Sequence, residues 1–73
     1  MTLKKRSVSI RGHSTSFSLE DEFWLDLRTV AKRQGKSVAQ LVTQIDATRK
    51  ADENLSSALR VYLFKLRGDQ PSG

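Results

Sequence analysis

The chain has no cysteine and one histidine, His13. Without cysteine, neither a disulfide nor a thiolate metal site can staple the fold, and one imidazole with no partner ligand does not make a metal site. No apolar run approaches the roughly 18–20 residues that span a bilayer. The opening MTLKKRSVSIRG has basic residues but no apolar core behind them, so it does not read as a secretory signal. The four glycines are isolated, which excludes a glycine-rich phosphate loop. These absences predict a cytoplasmic protein with no metal, no cofactor and no membrane partner. At 73 residues the chain is one small domain, near the size at which a single core is marginal and oligomerisation often adds stability.

Acidic residues are missing from the first 19 positions, which hold Lys4, Lys5, Arg6 and Arg11. The other nine of the 13 basic residues share the remaining chain with all eight acids. A basic segment without acids is an electrostatic footprint for a polyanion. Catalysis has no support. Glu20, Asp21 and Glu22 crowd the first turn of a predicted helix, where acids are ordinary, and Ser56 and Ser57 have no histidine to activate them. The chain is not expected to be an enzyme.

Three helical patterns follow an extended one. Over 20–34, Phe23, Leu27, Val30 and Ala31 make one apolar stripe, with Lys32 and Arg33 in the last turn and Gly35 as the stop. Leu25 lies off that stripe, and Trp24 lies beside it as a partly buried ring rather than a base-stacking one. Over 38–49, Val38, Leu41, Val42 and Ile45 repeat at helical spacing, and Ser37 with Gln40 forms a capping box. A break near 49–53 precedes a third helix over 54–67, capped by Asn54. Its stripe is Leu55, Leu59, Tyr62 and Leu66, while Val61, Leu63 and Phe64 make it apolar nearly all round, which suggests cover from a second copy. Residues 68–73 read as a polar, fraying tail.

The extended region changes phase. Val8 and Ile10 stand at even positions, Phe17 and Leu19 at odd ones, so one straight strand would send the two pairs to opposite faces. Either a bend at Gly12 or a hairpin turning at Gly12–His13 resets the pattern. The hairpin would set Val8 against Phe17 and Ser9 against Ser16. A bend or flexible arm is preferred over the hairpin. Residues 1–13 are then a basic arm or an extra strand, and 14–49 a core with its strand at 14–19.

The stretch TSFSLEDEFWLDLRTVAKRQGKSVAQLVTQID, with its strand ending in FSL, its turn GKS and the apolar residues of VAQLV, resembles the ribbon-helix-helix family of DNA-binding proteins. RGHSTSFSLEDEFWLDL and NLSSALRVYL are similar to a small bacterial branch with an additional C-terminal helix. The resemblance implies an α+β, mostly helical fold and a homodimer whose two strands pair antiparallel into a ribbon that enters the major groove. It assigns Ser14, Ser16 and Ser18 to the base-facing side, and places a phosphate at Lys36, Ser37 and Val38. Lys4, Lys5, Arg6, Arg11 and His13 form the basic arm. Phe17, Leu19, Phe23, Leu27, Val30, Val38, Leu41, Val42 and Ile45 form the dimer core. The partner is double-stranded DNA and the role a nucleoid-associated transcriptional regulator. Serines are unselective base readers, so backbone contacts should dominate affinity. The second reading is a protein-interaction module, antitoxin-like or an assembly adaptor, that uses the apolar surface of the third helix.

Overall fold

The computed structural model describes residues 3–69. Two strands, β1 (Leu3–Ile10) and β2 (His13–Glu20), precede three helices, α1 (Asp21–Arg33), α2 (Val38–Thr48) and α3 (Leu55–Asp69). The strands pair antiparallel in the same chain, as a two-stranded sheet. This corrects the preference for a bend or flexible arm: residues 3–10 form a strand along one edge of β2, and the other edge of β2 has no partner within the chain. The turn also differs from the Gly12–His13 alternative. It is Arg11–Gly12, with φ of 52° and 81°, and positive φ at both positions gives the turn twist that two-residue hairpins favour.

The register is shifted accordingly. Val8 faces Thr15, Ser9 faces Ser14, Ser7 faces Ser16 and Arg6 faces Phe17. Each pair joins an even position to an odd one, so the hairpin removes the phase conflict. Ile10 joins Phe17 and Leu19 on the buried side, and the serines share the other. In this register Arg6 reaches two groups of α1. Its guanidinium lies 4.8 Å from the centre of the Trp24 ring, and its Nη2 donates to Asp21 Oδ1 at 2.6 Å. Lys4 adds a contact to the same carboxylate at 3.4 Å. The basic arm is therefore largely a strand, and two of its cations are engaged in holding that strand to the first helix.

The helix boundaries follow from local chemistry. At the end of α1 the Lys36 N–H donates to the Ala31 carbonyl and the Gly35 N–H to the Lys32 carbonyl, with Gly35 at φ 67°. At the start of α2, Ser37 Oγ accepts from the Gln40 N–H while the Gln40 side chain accepts from the Ser37 N–H. Arg49 closes the following loop by donating to the Asp46 carboxylate and the Glu53 carbonyl. Asn54 Oδ1 then accepts from the Ser57 N–H to start α3. That helix runs through Gly68 and Asp69, beyond the bound at 67; the rest of the expected tail, residues 70–73, lies outside the described residues.

The core forms within one chain. Leu19, Leu27, Leu41, Val42 and Leu59 are wholly buried, joined by Ile10, Phe17, Ala31, Ile45, Ala58 and Leu63. Phe23, Val30 and Val38, expected in a dimer core, pack against this cluster while partly exposed. The third helix is an integral wall rather than an appendage: Leu59 and Leu63 enter the core, while Val61 and Phe64 stay outside.

Two outcomes follow. Replacing Leu59 by Ala should destabilise the single chain by about 2–5 kcal/mol in urea unfolding, because it opens a cavity where α3 meets the core; a change below about 0.5 kcal/mol would mean that α3 is only loosely attached. The Arg6 hydrogen bond, seconded by Lys4, holds the Asp21 carboxyl below the usual carboxylate range against partial desolvation. A depressed carboxylate stabilises the fold above its unfolded pKa, about 3.9, and that contribution is lost as pH falls through the lower folded value. Asp21→Asn should therefore weaken the fold at neutral pH and flatten its decline below that value; an unaltered acid-unfolding profile would show that the Arg6 contact carries no stability.

Candidate nucleic-acid interface

The sheet has two chemically different faces. The inner one carries Val8, Ile10, Phe17 and Leu19 onto the helices. The outer one carries Lys5, Ser7, Ser9, Ser14, Ser16 and Ser18. All of these are exposed except Ser18, which is half-buried. Strand alternation makes this separation automatic once the register is set. Ser14, Ser16 and Ser18 thus share one face, as their spacing requires. Ser7 and Ser9 stand directly opposite Ser16 and Ser14, and Lys5 opposite Ser18. Ser7 and Ser9 were missed because the preferred bend left residues 1–13 as an arm rather than a strand opposite 14–19.

The basic residues divide into two groups. Lys4 and Arg6 point to the inner side and hold Asp21. Lys5 and Arg11 have no acidic partner among the described residues, and Arg11 is exposed at the hairpin tip. His13 is exposed beside it, opposite Ile10. Glu20, at the far end of the serine face, is engaged by Arg60 of α3 at 3.0 Å. Its carboxyl lies below the usual range, first through a hydrogen bond to its own backbone and then through Arg60. The serine face between tip and base therefore has no acidic side chain.

Trp24 is not a stacking platform for bases. Its ring lies 6.4 Å from that of Phe17 and beneath the Arg6 guanidinium, on the inner side of the sheet. Arg11 holds φ 52°, a left-handed conformation that L residues other than Gly, Asn and Asp seldom adopt. Asparagine at this position would hold the same turn with less strain.

The start of α2 is only partly the anion site expected. The Ser37 N–H is taken by the Gln40 side chain, and the Gln40 N–H by Ser37 Oγ. The N–H groups of Val38 and Ala39 have no acceptor among the described residues. Lys36 does not stand free beside them, because its Nζ donates to Gln44 Oε1. Lys32 and Arg33, read from sequence only as charges suited to the helix end, are exposed just before the same turn. No group of three or more His, Cys, Asp or Glu side chains is arranged to hold a metal ion, and no helix is long and apolar enough to cross a membrane, among the described residues.

Similarity to known proteins accords with this architecture. No curated protein matches the chain. Among solved structures it is similar to an uncharacterized protein from Bordetella pertussis Tohama I, with 29% identity and a TM-score of 0.71. The match covers 97% of this chain and 64% of that one, so this chain spans less than two thirds of that protein's length. The family model described as the ribbon-helix-helix domain matches residues 3–66, which takes in both strands and nearly all of the third helix. The chain belongs to the ribbon-helix-helix domain family.

Proposed function

We propose that this protein binds double-stranded DNA and acts as a transcriptional regulator, with the outer face of the β1–β2 hairpin entering the major groove. The observation that carries this reading is the serine face itself: Ser7, Ser9, Ser14 and Ser16 exposed on two paired strands, Lys5 among them, and no acidic side chain before Glu20. Family membership supports it, because ribbon-helix-helix domains are DNA-binding folds. Two strands lie about 4.8 Å apart, so their ribbon fits a groove about 12 Å wide. Short hydroxyl side chains let the backbone come near the base edges without filling the space between.

Each chain supplies both strands of its blade. The homodimer that the family resemblance implies would then set the spacing between two blades rather than build one. Joining two hairpins edge to edge would give four strands, about 14 Å across, wider than the groove. Arg11 and His13 at the tip would reach phosphates, as would the Val38 and Ala39 N–H groups at the start of α2, with Lys32 and Arg33 beside them. Serine discriminates poorly among bases, so non-specific attraction supplies most of the affinity and places the protein on the nucleoid.

Binding to random-sequence duplex should fall steeply with salt, with a log–log slope near about −5 for about six phosphate contacts; a flat response would remove the nucleic-acid reading. Arg11→Asn should raise stability by about 1 kcal/mol, by relieving the left-handed strain, while weakening duplex binding and making the salt slope shallower. Unchanged binding in that variant would remove Arg11 from the interface.

A further inference from the structure

The outer face of the hairpin is built in rows. Ser9 faces Ser14, Ser7 faces Ser16 and Lys5 faces Ser18, with Leu3 and Glu20 closing the open end. The first two rows hold serine alone, which bonds to any base and prefers none strongly. Lys5 differs from them in length and in chemistry. Its ammonium carries three donors and no acceptor, at the end of a flexible stem. The residue is exposed, and no carboxylate pairs with it among the described residues. Its surroundings keep it so. Glu20, one row further on, is taken by Arg60 of α3 at 3.0 Å. Asp21, next in the chain, is taken by Arg6 and Lys4. Both carboxylates that border this end of the face are thus matched by other cations, and Leu3 has no polar group with which to compete.

Spacing and direction decide what that ammonium meets. Residues two apart on a strand are separated by about 6.6–6.8 Å, and stacked base pairs by about 3.4 Å, so one row spans about two base-pair steps. With the serine rows against the base edges, the DNA-binding reading on which this inference rests, Lys5 projects from the same face about two steps beyond the Ser7–Ser16 row. Phosphates line the rim of the groove, whereas this face looks toward its floor. Because Lys5 stands at the end of the serine rows, its stem can lie along the groove without lifting them from it. An ammonium at the floor is selective. Guanine offers it two acceptors, O6 and N7, whereas adenine sets an amino donor beside N7, cytosine offers a donor, and thymine sets a methyl group beside O4. We propose that Lys5 is the specificity-determining residue of the hairpin. It selects a guanine beyond the serine rows, at the end of the site away from the Arg11–Gly12 turn.

The test is selection of bound duplexes from a random pool by the full chain, by Lys5→Ser and by Lys5→Arg, with the salt dependence of random-duplex binding measured for each. Because Lys5 is exposed and unpaired, both variants should keep the parent unfolding midpoint. Duplexes selected by the parent should carry guanine at one position, favoured about tenfold over each other base. Lys5→Arg should retain that preference, since its guanidinium also donates to O6 and N7. Lys5→Ser should erase it, while the binding that remains still falls with salt. A guanine preference that survives Lys5→Ser, or a preference for another base at that position, would overturn the proposal. So would a uniform loss across all sequences in Lys5→Ser, which would make Lys5 a phosphate contact. Salt-sensitive binding by the parent without any base preference would overturn the proposal and leave the hairpin reading standing. Failure of the parent to bind any duplex would remove both.

Discussion

The pairing of β1 with β2 in one chain is the constraint on which the rest depends. It brings even positions of one strand opposite odd positions of the other, and so collects every large apolar side chain of both on one side, Leu3 at the open end excepted. What is left for the other side is small and polar. The contact that fixes the sheet to the helices is ionic and aromatic at once: Arg6 lies over Trp24 and bonds Asp21, next to Phe17. Burying Phe17 and Leu19 contributes on the order of 1.5–3 kcal/mol each relative to leaving them in water.

The serine face then has a physical reason as well as a composition. In the proposed reading, a ribbon that approaches DNA closely keeps its outward side chains short. The five serines do so from both strands, and Lys5 adds attraction at the base. Larger polar side chains would read bases more selectively but would hold the backbone further out. The cations of the hairpin divide by their contacts. Lys4 and Arg6 hold the hairpin to α1, while Lys5 and Arg11 are left to the outside.

Much of this was legible in the sequence because it depends on local chemistry. The Ser37–Gln40 box, the Asn54 cap, the Gly35 stop and the stripe through Leu41, Val42 and Ile45 are all short-range patterns. The phase change between Ile10 and Phe17 was visible too, and with it the need for a bend or a turn. What sequence could not choose was the partner strand. A strand ending in FSL has two edges, and the backbone groups of either do not say whether an upstream neighbour of the same chain lies beside it. The turn was misplaced by one residue because arginine at positive φ contradicts propensity, and no local pattern announces such an exception. The engagement of Lys4 and Arg6 escaped notice because charge runs carry no sign of which side chain points inward until the register is known.

The account is tested most directly by isotope-filtered NOE spectroscopy on an equimolar mixture of labelled and unlabelled chains bound to duplex DNA. Contacts between Ser7 and Ser16, and between Ser9 and Ser14, should arise within single chains, and the protons of these four residues should show contacts to DNA. Strand contacts that cross between labelled and unlabelled chains, or serines that stay remote from every nucleotide, would contradict it.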